Sequence, residues 1–374
     1  MFLHGYNIGV SKEGYTYVSC DHNEQYPLLI SVNSIGNELF NIDYPKPGAA
    51  DYIFKIRTES NNIYKNSVVD TKEYFGIQSF WIYPEYFFYE NAMLLYNKKS
   101  KLKEINREHH HYQLYNEYFH SECHALYTVW SLLASQSYSE QLQDSLLIKV
   151  GIYNTDELGK KSKKLETISL YTIHNSDSLS LPKPQAMRWF TNCKQLGVMI
   201  CSDTVIPTSK SFVQVHRSNF VTNIDIKFGD VVDVNSYLFK NFTGRKLKWK
   251  GFSNSSYGFV AMFENLDNNY QNILIRYNNQ NQQFSTTTLD TSIDCRSIFL
   301  DSLGALVLAG TKKNNDKNDF YIGYYNSNGI LFEKVWGGED YNRLNDVIID
   351  SFGEIAVSGQ KGNDLYLAKF TFTP

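Results

Sequence analysis

The chain has few of the residues that would break or staple it, and each shortage closes off a class of protein. Eight prolines in 374 residues argue against long ordered linkers. Five cysteines (Cys20, Cys123, Cys193, Cys201 and Cys295) form no CxxC pair; an odd number cannot all pair within the chain, so most read as small buried residues. No run of apolar residues is long enough to cross a membrane as a helix. Net charge is only −3 and no long run has one sign, so nothing points to nucleic acid or to an anionic membrane. No glycine-rich loop opens a helix, and hardly any segment reads as a helix, which removes nucleotide-binding motifs. Serine, histidine and aspartate occur without an elbow motif around them, so no hydrolase triad is indicated.

What is present is strand. Aromatic residues make up 15% of the chain, with 28 Tyr and 24 Phe, in keeping with strand propensity. Near the C-terminus one pattern occurs twice. The stretch 297–310 ends in a glycine and is followed by Asp319 and an aromatic strand; the stretch 346–359 is followed by Asp364 in the same way. Asp301 matches Asp350, Gly304 matches Gly353, and Gly310 matches Gly359. Asp and Ser favour a turn, and glycine supplies the positive φ a tight hairpin demands. Residues 305–309 form an apolar run bounded by glycines, as expected of a strand covered on both faces. A period below fifty residues, with several short strands per unit, is the signature of a β-propeller blade.

Weaker copies precede these two. Third strands are predicted near residues 28, 93, 146, 212, 273, 320 and 365, with preceding hairpins at 79–91, 124–135, 188–202 and 247–264. The reading is an all-β, seven-bladed propeller forming one domain, with six or eight as alternative counts. Its blades are predicted at 6–50, 51–120, 121–184, 185–232, 233–292, 293–339 and 340–374. The last unit stops after its third strand, so residues 1–5 are predicted to complete it and close the ring, removing an exposed edge.

Units six and seven, and unit one less sharply, resemble the delta-sixty and related bacterial propeller repeats: an Asp-x-x-Gly turn, a glycine after the second strand, then Asp-aromatic and a further glycine turn. The resemblance covers 293–374 and 4–44; between 50 and 290 only the strand rhythm persists. It implies a non-catalytic propeller of a kind often exported by bacteria, and it brings no catalytic residues. No cofactor is expected. Met1–Gly5 carries no secretory signal, so the compartment is read as periplasmic or outer-membrane-associated if a leader was removed, and cytoplasmic if Met1 is the native start. The Asn, Lys, Tyr and Ile content resembles that of Bacteroidota.

The densest polar cluster is His109, His110, His111 and Tyr112 with His120, Cys123 and His124. Zinc or copper would suit such ligands. Strand alternation would divide the three consecutive histidines between two faces, and no second ligand pair repeats, so the segment reads as a solvated or interfacial loop without metal. The polar stretch 314–319 lacks the glycine and distal Glu of an EF-hand and reads as a hairpin loop. Trp336 reads as a cap on the core.

Two functions follow. In the first, the ring is a scaffold for a protein partner, such as an envelope secretion or nutrient-uptake assembly. It would bind through insertions at 106–124, 154–184 and 203–210, because irregular loops on a rigid frame carry recognition. The binding residues expected are His109, His110, His111, Tyr112, Tyr115, Tyr118 and His120, with Tyr138 in a further contact segment, 136–143. In the second, the aromatic-rich face takes a glycan; cleaving it would need two carboxylates at a set separation.

Overall fold

The computed structural model describes the strands given below between residues 3 and 189, with residues 33 and 35–37. It also describes residues 196–371 apart from 210, 223–224, 315–316, 327–328, 339–340 and 350–352. These residues form seven antiparallel sheets and one helix. The first sheet holds β1 (Leu3–Val10), β2 (Thr16–His22), β3 (Tyr26–Val32) and β4 (Glu38–Asp43). The second holds β5 (Val68–Asp70), β6 (Tyr74–Tyr83), β7 (Phe88–Asn97) and β8 (Leu102–His110). The third holds β9 (Ala125–Leu133), β10 (Ser145–Asn154) and β11 (Lys164–Tyr171). The fourth holds β12 (Lys183–Trp189), β13 (Leu196–Cys201), β15 (Val213–Thr222) and β16 (Asp225–Asp233). A short β14 (Thr204–Val205) leaves it to join the fifth, with β17 (Leu247–Asn254), β18 (Gly258–Asn265), β19 (Gln271–Asn278) and β20 (Gln283–Thr288). The sixth holds β21 (Ile293–Leu300), β22 (Leu306–Asn314), β23 (Lys317–Asn326) and β24 (Gly329–Trp336). The seventh holds β25 (Asn342–Ile349), β26 (Ile355–Lys361) and β27 (Asp364–Phe370). Two compact units result: residues 1–109 with 290–374, and residues 110–289.

The repeated residues have physical reasons. In the 301–305 turn, Asp301 accepts from the amides of Leu303 and Ala305 at 2.9 and 2.7 Å, and Gly304 takes φ +86°. Asn33 holds Ile35 and Asn37 the same way, with Gly36 at φ +87°, so one side-chain-capped turn serves two sheets. Gly310 and Gly359 answer a different need. Each lies opposite a bulge in the first strand of its sheet, between Cys295 and Ser297 or between Leu344 and Asp346. There a Cβ would come within 2.1 Å of a carbonyl oxygen of that strand, which only glycine avoids.

The residues that follow these bulges join the sheets. Ser297 and Asp346 are equivalent in the repeat, and the Ser297 hydroxyl donates to Asp346 Oδ1 at 2.5 Å. The Val347 amide lies 3.4 Å from Ser297 Oγ, and the Ile8 amide donates to Asp346 Oδ2 at 3.2 Å. β1 is bulged at the matching place, between Gly5 and Asn7. The first sheet therefore meets the seventh through the contact by which the seventh meets the sixth.

That junction corrects the predicted closure. Residues 3–5 do not pair with the last strand: Leu3, His4 and Gly5 pair with His22, Asp21 and Cys20. Leu3–Val10 is one continuous strand, so the first hairpin runs on through Gly5. A local hairpin also closes a far shorter loop than pairing across the whole chain would. Two further differences lie upstream of the repeats. The segment 124–135 is not a hairpin; it holds the single strand β9. The other is α1 (Val234–Phe242), a helix where the sequence reading expected none. Asp233 caps it by accepting from the Asn235 and Ser236 amides, the N-cap role Asp favours. Val234, Leu238 and Phe242 recur every four residues and are buried.

The cores are aliphatic and aromatic. In one unit, Val307, Ala309, Phe320 and Ile322 of the sixth sheet meet Leu344, Val347 and Val357 of the seventh. In the other, Met199, Val213 and Val215 pack with α1 and with Trp249, Phe259, Phe263 and Ile275. Cys201 and Cys295 are buried thiols.

Candidate functional site

Most of the residues singled out for recognition lie outside the described residues: His111, Tyr112, Tyr115, Tyr118, His120 and Tyr138. His109 and His110 end strand β8. Asn314 ends β22 and Lys317 begins β23, with Lys312 paired to Asp319. Among the described residues no group of three His, Cys, Asp or Glu side chains could hold a metal ion. No helix there is long and apolar enough to cross a membrane. The 203–210 insertion is braced by α1: Asn235 Nδ2 donates to the Thr208 carbonyl at 3.1 Å, and the Gly244 amide lies 3.4 Å from that of Pro207.

The surface feature that the fold does not account for is β24, the outer strand of the sixth sheet. Ile330, Leu331, Phe332 and Val335 are 59, 52, 37 and 42% exposed. Its two charged residues are exposed as well, and the end of each reaches a neighbouring side chain. Glu333 Oε1 accepts from the Tyr321 and Tyr325 hydroxyls at 2.8 and 3.2 Å, and these are 2.6 Å apart. Gly323 lies between the two rings, where a Cβ would stand 2.4 Å from Tyr325 Cε2 and 2.5 Å from the Tyr321 oxygen. Burial, with the hydrogen bonds to Tyr325 and Glu333, pushes the Tyr321 phenol far up. Burial also pushes Tyr325 up to about 12, so both stay protonated donors at neutral pH. On the opposite face Lys334 Nζ lies 4.8 Å from the Phe370 ring centre and 5.7 Å from that of Trp336, as cation–π contacts require. Trp336 packs on Phe320 and Phe370 and donates to the Tyr366 hydroxyl at 3.0 Å, the capping role read from the sequence.

Glu333 and Lys334 are themselves exposed, so the strand shows charged and apolar side chains side by side. A bulge at Leu331, between the Tyr324–Phe332 and Tyr325–Ile330 pairs, leaves 332–336 as the regular run. In sequence, an apolar strand such as Ile330–Trp336 reads alike whether it is covered or open.

No family model matches the chain, and no curated protein matches it. Solved structures resemble it in fold. The β-propeller domain of the Trilobed protease from Pyrococcus furiosus, described as having an open velcro topology, is 8% identical. That match covers 99% of this chain and 96% of that one with a TM-score of 0.51. The Cps50 (Swd1) β-propeller domain of Myceliophteria thermophila is 9% identical, over 98% of each chain, with a TM-score of 0.50. A prolyl endopeptidase is 10% identical with a TM-score of 0.53; the match covers 98% of this chain, which spans about half of that one, 47%. At such identities the likeness carries fold alone, and the fold is that of a β-propeller protein. Fold likeness at this level leaves the activity undecided.

Proposed function

We propose that this chain is a non-catalytic propeller, a ring of seven blades that binds another protein through its outer surface. The observation that carries the reading is the exposure of Ile330, Leu331, Phe332 and Val335 together on one outer strand, beside the exposed Glu333 and Lys334. Contiguous apolar exposure of this kind marks an interaction surface. The insertions at 106–124 and 154–184, with His109–Tyr112, Tyr115, Tyr118, His120 and Tyr138, are proposed as a second contact, and a bacterial envelope assembly as the setting.

The test is affinity capture by the immobilised full chain from its cell of origin, beside Phe332→Lys and Val335→Lys variants of unchanged melting temperature. A partner kept by the parent and lost by both variants supports the reading. Equal capture by all three removes the surface from it. Binding to a glycan array that both variants retain would favour a glycan-binding propeller instead.

A further inference from the structure

The turn that recurs in the first and sixth sheets bonds its own backbone. In 301–305 the amides of Leu303 and Ala305 donate to the Asp301 carboxylate, that of Gly304 to the Asp301 carbonyl and that of Asp301 to the Ala305 carbonyl. In 33–37 the amides of Ile35 and Asn37 donate to the Asn33 side chain, that of Gly36 to the Asn33 carbonyl and that of Asn33 to the Asn37 carbonyl. Turn chemistry asks for the Asp or Asn and for the glycine; it leaves the residue before the glycine free. That residue is Leu303 in one turn, 87% exposed, and Ile35 in the other, 78% exposed. No other large apolar side chain among the described residues is so exposed.

Both tips lie at one end of the same compact unit. Thr311, level with Asp294 near the start of β21, donates to the carbonyl of Asn342 at the start of β25, and Ser297 donates to Asp346 further along both strands. β25 thus runs in the sense of β21, and the same contact after a bulge joins it to β1. β3 runs with β1 in its antiparallel sheet, so its turn shares the end of the 301–305 turn. Ile330 is level with Tyr325, Leu306 and Leu300, which sets the start of β24 beside that turn, about 10 Å away. There Ile330 and Leu331 are 59 and 52% exposed. The segments 33–37, 301–305 and 326–331 hold no Lys or Arg, and Lys369 and Glu354, at the same end of the seventh sheet, form a pair at 3.8 Å.

A protein interface is built on a contiguous packed centre, whereas these apolar side chains stand on separate turns. The interface of a bilayer is fluid and takes separate side chains one by one. What it penalises is an unbonded amide, and the amides named above are bonded inside their turns. An anionic headgroup would want cations beside the tips, which they lack. We infer that this end of the unit rests on a lipid surface of zwitterionic headgroups, with Ile35, Leu303, Ile330 and Leu331 entering the interface without crossing it.

The experiment is flotation of the full chain with phosphatidylcholine vesicles, beside vesicles in which phosphatidylglycerol replaces part of that lipid. The chain is expected to float with the first, no better with the second, and equally at low and high salt. Leu303→Ser and Ile35→Ser should each lower the partition coefficient about threefold and together about tenfold, at unchanged melting temperature. Tyr270→Ser, at an exposed turn of the other unit, should bind like the parent. So should Val335→Lys, whatever protein it captures, which keeps this test separate from that of the partner-binding reading. Absence of flotation with phosphatidylcholine, flotation that needs phosphatidylglycerol and is lost in salt, or binding indifferent to the double serine variant overturns the proposal. So does a captured protein that the double variant loses while no vesicle is bound, which would give this end to a protein partner.

Discussion

β20 and β24 hold the same place in neighbouring repeats, each the outermost strand of its sheet, and they treat water in opposite ways. β20 sends its one aromatic, Phe284, inward against Tyr237, Phe259 and Tyr277 and shows hydroxyls outward. β24 shows Ile330, Leu331, Phe332 and Val335 beside the exposed Glu333 and Lys334, whose ends reach Tyr321 and Tyr325 and the rings of Trp336 and Phe370. Position in a blade therefore does not fix the polarity of an edge. It is set by whether neighbouring side chains can take up the strand's polar groups. Tyr321 and Tyr325 do so for Glu333 because Gly323 leaves them room to share one carboxylate oxygen.

The sharpest way to break this comparison is to truncate the same residue type on both strands. Phe284→Ala removes a ring packed against three others and is expected to cost about 3 kcal/mol. Phe332→Ala removes a ring that is 37% exposed and should cost less, about 1 kcal/mol. Urea unfolding of the two variants measures both, and equal losses would mean that β24 is a core strand after all.

Acid separates the two units at nearly the same scale. His216, on β15 in the unit that carries β20, is buried with Nε2 unpartnered, and burial lowers its pKa from 6.5 to about 4. The folded state resists a proton that the unfolded chain accepts, so the stability tied to the neutral ring is whole above pH 6.5. It falls as pH drops towards 4, by about 2–3 kcal/mol over that window. His216→Gln should flatten that part of the curve of melting temperature against pH. A wild-type curve already flat between 6.5 and 4 would contradict the buried neutral ring.

Much of this architecture is legible in the chain. The paired glycines announce two demands, a positive φ at Gly304 and Gly353 and a close backbone approach at Gly310 and Gly359. Matching Ser297 to Asp346 by repeat position also locates the side-chain junction between the sixth and seventh sheets. α1 had its signals as well: Asp233 as cap, apolar residues every four positions, Gly244 past the end. They are masked by the strand rhythm around them. The closure was misread because a spare N-terminal strand and a missing fourth strand suggest each other, whereas the continuous run from Leu3 to Val10 favours a local hairpin. The apolar exposure on β24 was least legible of all. Recognition was expected in irregular sectors, yet β24 belongs to a regular repeat, and its exposure depends on where the ends of Glu333 and Lys334 go.

Those ends can be tested one step back. In Gly323→Ala the new methyl would press on both tyrosine rings, and overpacking of this kind costs about 2 kcal/mol. Tyr321→Phe leaves the rings in place and removes one bond to Glu333, for about 1 kcal/mol. If the tyrosine pair is what holds the end of Glu333, both variants should lower the melting temperature in that order. An inert Gly323→Ala would show that the rings have slack and that the carboxylate's position is incidental.

The smallest effect is the most telling about β24 itself. Replacing Ile330 and Val335, 59 and 42% exposed, together by threonine keeps strand propensity and removes apolar surface about half of which faces water, so stability should change by less than about 1 kcal/mol. The double variant makes β24 resemble β20 in its side chains while keeping every contact of Glu333 and Lys334. Its thermal unfolding should stay close to the parent's, and its tendency to aggregate on heating should fall, since exposed apolar residues on an outer strand favour pairing. A marked loss of stability would place Ile330 and Val335 in the core. Unchanged stability with unchanged aggregation would show that another surface drives association, and the contrast between the two outer strands would then be one of composition without consequence.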